Sequence, residues 1–129
     1  MATFKRFEEI EAWKKARELT RDLYRVSAEG AFGRDFALRD QIRRASVSAM
    51  SNIAEGFGRG GNKEFIQFLS MAKGSCSEVV SHLYVALDQE YLSLEQFERL
   101  VNLAQETGRL IGGLIVYLKK TSWRGAKFR

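Results

Sequence analysis

Between Phe65 and Ala86, seven apolar or small residues (Phe65, Leu69, Ala72, Cys76, Val79, Leu83 and Ala86) follow one another at steps alternating between four and three. That rhythm is the repeat of a helix face and does not fit the two-residue alternation of a half-buried strand. It predicts a helix from Lys63 to about Glu90. Phe68, Val80, Tyr84, Leu87 and Tyr91 widen its apolar side, so two flanks are buried at once and contacts beyond the bundle's own neighbours are expected. Gly74 sits mid-helix, where it costs about 1 kcal/mol relative to alanine. A close backbone approach is the expected reason.

Three further segments share the rhythm. Ala12, Ala16, Leu19, Leu23 and Val26 predict a first helix from about Glu8 to Ala28, stopped by Gly30. The link from Gly30 to Phe36 reads as a loop pinned by Phe32 and Phe36. Leu38, Ile42, Ala45, Ala49, Ile53 and Phe57 predict a second helix from about Phe36 to Phe57. The fourth runs from the Leu92–Phe97 turn to about Lys120; there Ser93 and Gln96 form a capping box and Leu92 with Phe97 a hydrophobic staple. Its two interleaved seams, one from Phe97 to Leu118 and the other through Leu100, Leu103, Thr107, Leu110, Leu114 and Tyr117, suggest a flank shared with another subunit. Helices of roughly 20 to 28 residues would be about 30 to 42 Å long, and short connections make neighbours antiparallel. The expected fold is all-α: an antiparallel up-and-down four-helix bundle over residues 1–120, followed by a basic aromatic tail over 121–129.

The sequence Gly56-Phe57-Gly58-Arg59-Gly60-Gly61 invites comparison with a phosphate-binding loop, since Gly56, Gly58 and Gly61 have the G-x-G-x-x-G spacing. Such a cradle follows a strand, however, and a helix precedes this one. A tight reversal before Asn62, which would cap the next helix, is predicted instead.

Resemblance enters at the second helix. An aromatic entry (Phe7, Trp13), then Gln41-Ile42-Arg43-Arg44-Ala45, Ser51-Asn52-Ile53-Ala54-Glu55-Gly56, Lys63-Glu64-Phe65, Phe68-Leu69 and Ala72-Lys73-Gly74-Ser75 together resemble the four-helix bundle family first described from intervening sequences of bacterial 23S ribosomal RNA genes. The resemblance implies a bundle assembling into a ring, commonly a homopentamer. It also points to a relative in fold, the accessory protein of diversity-generating retroelements, a basic barrel that binds a reverse transcriptase and nucleic acid. Where the family usually has Ile-Pro, this chain has Ala49-Met50. With no proline anywhere, the kink such a residue would bring before Ser51 loses its cause.

The net charge of +5 is concentrated at one end. Residues 117–129 hold Lys119, Lys120, Arg124, Lys127 and Arg129 without an acid, leaving 16 basic and 16 acidic residues in the first 116. Interleaved with Trp123 and Phe128, these cations suit phosphates and stacked bases, and a ring would add their contacts by multivalency. Lys14, Arg17, Arg21 and Arg25 form a basic row at helical spacing on the first helix, a second candidate surface for RNA or DNA. The third candidate is a polar network of Arg43, Arg44, Asn52, Glu55, Arg59, Lys63 and Glu64. Glu55 and Arg59 are an i,i+4 pair, and Arg43 or Arg44 would meet Glu55 or Glu64 of a neighbouring subunit.

Chemistry for catalysis is hard to assemble. His82 is the sole histidine and lies beside the main seam with no evident partner; with Cys76 it offers two ligands, whereas a zinc site needs three or four. Ser46, Ser48 and Ser51 lack a histidine–acid pair and read as small packing residues. No catalytic, cofactor or metal site is expected, and the chain reads as a non-enzymatic accessory or scaffold. No apolar run reaches the roughly 18 residues of a membrane span. The charged opening and lone cysteine suggest a cytoplasmic, reducing environment.

Overall fold

The computed structural model describes residues 4–121, and these are helical with no strand among them. A 3-10 turn at Phe7–Glu9 leads into α1 (Glu11–Val26), a short α2 (Gly30–Arg34), α3 (Phe36–Arg59), α4 (Asn62–Asp88) and α5 (Leu94–Lys120). Each long helix lies beside two of the others: α1 beside α3 and α5, and α4 beside α3 and α5. Neighbours run antiparallel. Arg43 meets Ser27 and Tyr24 where α1 ends, Ser48 meets Ser75, and Asp22 and Lys15 of α1 meet Arg99 and Glu106 of α5 in reverse order.

The seam residues are the core. Leu19, Leu23, Ile42, Val79, Leu83 and Leu100 fill one end; Ile10, Ala49, Ile53, Phe65, Leu69 and Ile111 fill the other. At the second end Phe4, Phe7, Trp13 and Met50, and Leu110, Leu114, Ile115 and Tyr117 of α5, all pack against the buried cluster. The second seam of α5 is therefore largely covered within the protomer, with Leu100, Leu103 and Thr107 buried. Exposed apolar side chains are spread over the long helices: Met71, Tyr84 and Val85 on α4, Phe36 and Val47 on α3, and Leu94 and Val116 on α5.

Several local expectations are corrected. The first helix is shorter than the predicted 8–28, because the chain before Ile10 winds into a separate 3-10 turn and Ser27 closes α1. The Gly30–Phe36 link is no loop: Gly30, at φ +52°, opens α2, and Phe32 is buried with its ring stacked 5.3 Å from Tyr91. The hydroxyl of Tyr91 donates to Asp35 at 2.9 Å, and Asp35 caps α3 through the Leu38 amide. Asn62 does not cap α4 but is its first residue, after Gly61; only Gly60 of this turn has a positive φ, +89°. α3 runs unbroken through Met50. Gly74 faces open space, since a Cβ there would meet nothing within 4 Å. The close approach is at Gly56, where a Cβ would lie 2.6 Å from Phe68 Cβ. The capping box at Ser93 and Gln96 forms as predicted.

Candidate nucleic-acid interface

The seam of α1 turns its charged residues outward, so Lys14, Arg17, Arg21 and Arg25 are all exposed. Local pairing consumes part of that charge. Lys14 Nζ lies 3.2 Å from Glu11, Arg25 lies 4.0 Å from Asp22, and the Arg17 guanidinium sits 5.8 Å from the Trp13 ring centre. Asp22 also takes a 2.8 Å hydrogen bond from Arg99 of α5. Arg21 has no acidic partner among the described residues. Beside the row, Lys15 lies between Glu18 at 3.4 Å and Glu106 at 3.6 Å, and those carboxylates hold its pKa above the ordinary lysine value.

The α3 cations divide by position. Arg43 turns toward α1, donating from Nε to Ser27 Oγ at 2.8 Å and from Nη2 to the Tyr24 carbonyl at 3.2 Å, with its guanidinium 4.5 Å from the centre of the Tyr24 ring. It satisfies a carbonyl in the last turn of α1, which has no partner inside the helix. Within the protomer, Arg43 is thus tied to the end of α1. Arg44, one residue on, is exposed and has no acidic partner among the described residues. Tyr24, Asp40, Arg43, Arg44, Val47 and Ser48 line one open cleft of about 590 Å³. Tyr24, 43% exposed, belongs to the stretch of α1 between Arg21 and Arg25. The structure thus brings Tyr24, from the stretch of α1 that carries the row, to Arg43 and Arg44 at the start of the polar network.

The rest of that network does not converge on the cleft. Asn52 donates to the Ser48 carbonyl at 2.9 Å and to Ser48 Oγ at 3.0 Å, and Ser75 donates to Ser48 Oγ at 2.9 Å, tying α3 to α4. The serines are therefore more than packing spacers. Glu55 and Arg59 pair at 2.9 Å as predicted, with Arg59 also 5.1 Å from the Phe68 ring centre. Lys63 is exposed and Glu64 half-buried at the start of α4. Lys119 and Lys120 are exposed in the last turn of α5. Trp123, Arg124, Lys127 and Arg129 lie outside the described residues.

Sequence reading missed Tyr24; an aromatic off the α1 seam, between two arginines, was the available signal. It also missed Glu78, whose carboxylate lies 3.4 Å from His82 Nε2, a buried nitrogen with no hydrogen-bond partner among the described residues. Among the described residues no three metal-ligating side chains cluster, and no helix is long and apolar enough to cross a membrane. Burial pushes the Cys76 thiol up to about 11, so it stays protonated at neutral pH.

Antiparallel helices that enclose an apolar core, with an open cleft lined by Tyr24, Arg43 and Arg44, define an all-helical protein. The chain belongs to the 23S rRNA-intervening sequence protein family, which it matches over residues 8–113. It is similar to a protein of unknown function from the S23 ribosomal protein family of Bacteroides thetaiotaomicron VPI-5482, whose crystal structure superposes with a TM-score of 0.73 at 25% identity, over 85% of this chain and 99% of that one. No curated protein matches the chain.

Proposed function

We propose that this protein is a non-enzymatic accessory that binds nucleic acid through the α1–α3 cleft, as an antiparallel four-helix bundle assembled into a homo-oligomeric ring, a pentamer by family resemblance. The carrying observation is the exposed Tyr24 ring with its stacked Arg43 in a cleft also lined by Arg44, which has no acidic partner among the described residues, with Arg21, likewise without one, three residues back along α1. Guanidinium groups free of internal carboxylates can release counterions from phosphates, and an exposed ring offers a stacking platform for an unpaired base. Single-stranded RNA suits such a cleft better than a duplex, whose bases are already stacked. Lys119, Lys120 and the tail residues Trp123, Arg124, Lys127 and Arg129 extend the same chemistry. The relative in fold adds a reverse transcriptase as a protein partner to test.

Titration with single-stranded RNA and with duplex DNA over rising salt tests this reading. Affinity should fall linearly with salt on logarithmic axes, and Arg21→Glu with Arg44→Glu should weaken binding by about tenfold or more at low salt. Flat curves at low salt would overturn nucleic-acid binding. They would favour a second reading, a purely structural oligomer presenting a protein-binding surface, which the exposed Met71, Tyr84 and Val85 on α4 support.

A further inference from the structure

A second open groove, of about 390 Å³, lies between α4 and α5, away from the α1–α3 cleft. Its lining includes Cys76 and Val80 from α4 and Ala104 and Gly108 from α5, a mostly small and apolar floor. Lys73 stands on the α4 side and Arg109 on the α5 side, both exposed and neither with an acidic partner among the described residues. Polar side chains from both helices, Ser77 and Gln105, complete it.

The furrow is not an accident of tight packing. A Cβ on Gly108 would meet nothing nearer than Cys76 Cβ at 4.0 Å, and one on Gly112 would meet Lys73 Nζ at 3.5 Å, both ordinary contacts. Each glycine costs about 1 kcal/mol in a helix interior, yet neither is demanded by its neighbours in the protomer. The side chains left out of α5 keep the groove open, and Lys73 lies across its Gly112 end.

We infer that this groove binds a phosphate ester carrying a planar ring, as a mononucleotide does. Two cationic walls from different helices suit a dianion with three acceptor oxygens, whereas a single carboxylate is satisfied by one arginine fork. The apolar floor accepts the face of the ring while the Ser77 hydroxyl and Gln105 amide meet its polar edge. The volume falls within the roughly 300 to 1,000 Å³ of small-molecule sites. Free nucleotide and the nucleotide unit of a strand share this chemistry, so the test separates them.

In the full-length protein, the amide resonances of Gly108 and Gly112 are followed by NMR during titration with adenosine 5′-monophosphate, adenosine, inorganic phosphate or a single-stranded oligonucleotide. The expected result is a saturable shift with the monophosphate, with adenosine and phosphate each weaker by about tenfold or more. Lys73→Gln and Arg109→Gln, both at exposed positions, should each weaken the monophosphate by about tenfold with circular dichroism unchanged. Arg21→Glu with Arg44→Glu should leave these shifts intact, so the two surfaces stand or fall separately. A tighter response to the oligonucleotide would assign the source to a strand. No shift with either nucleotide probe, equal shifts with adenosine, or unchanged affinity in both glutamine variants would overturn the inference.

Discussion

Two glycines in long helices show how far a residue's neighbours decide its meaning. At Gly56 an added methyl would collide with Phe68 and approach Phe65, so Gly56→Ala should destabilise the protein by about 1–3 kcal/mol through overpacking. At Gly74 the space is open, and Gly74→Ala should stabilise the protomer by about 0.5–1 kcal/mol through helix propensity alone. Urea unfolding of both variants measures the contrast; equal signs would remove its steric basis. From sequence, Gly74 looked like the close approach because it lies mid-helix, where a glycine is costly. Only the pairing of Gly56 with α4 shows which glycine faces a backbone. Cys76 carries a second prediction at this scale. Its folded pKa, about 11, lies above the ordinary thiol value, so its contribution to stability is full below that ordinary value and is lost as pH rises toward 11. The thermal midpoint should fall between about pH 9 and 11, and Cys76→Ala should fall less steeply across that window. Lys15, whose pKa is also raised, remains in both proteins, so their difference isolates the thiol.

At the scale of the element, helices were legible where seams were long and borders only where a cap has its own chemistry. α4 and α5 needed little correction, because their repeats run over many turns and Ser93 with Gln96 satisfies donors at the start of α5. Ser93→Ala should cost about 1 kcal/mol, read as a lower denaturation midpoint with an unchanged slope. α2 was illegible for a physical reason. Five residues with two glycines have almost no helix propensity, and this turn is held by tertiary contacts: Phe32 against Tyr91, and Tyr91 to Asp35. The candidate site shows the same division. The basic row on α1 could be read from its spacing, but its junction with Arg43 and Arg44 depends on which faces α1 and α3 turn toward each other.

For the whole molecule, contact between copies depends on which helix flanks the protomer leaves uncovered. Phe4, Phe7 and Trp13 pack against the same end of the core as the second seam of α5, a long-range fold-back that periodicity does not reveal. The exposed Met71, Tyr84 and Val85 and the bare surface at Gly74 make α4 one candidate for contact between copies. Native mass spectrometry should show more than one copy of the 14.7 kDa chain, and Met71→Glu with Val85→Glu should return a folded monomer. A wild-type monomer at micromolar concentration would remove the ring from the proposal. One tie bears on how load would travel if a partner seized the chain beyond α5. The Asn62 amide donates to the carbonyls of Leu118 at 2.6 Å and Thr121 at 3.0 Å, lashing the exit of the last helix to the first residue after the Gly60–Gly61 bend. Tension applied past Thr121 would therefore arrive first at that hinge, and Asn62→Ala would uncouple the two, leaving the end of α5 to unravel before the bend felt any pull.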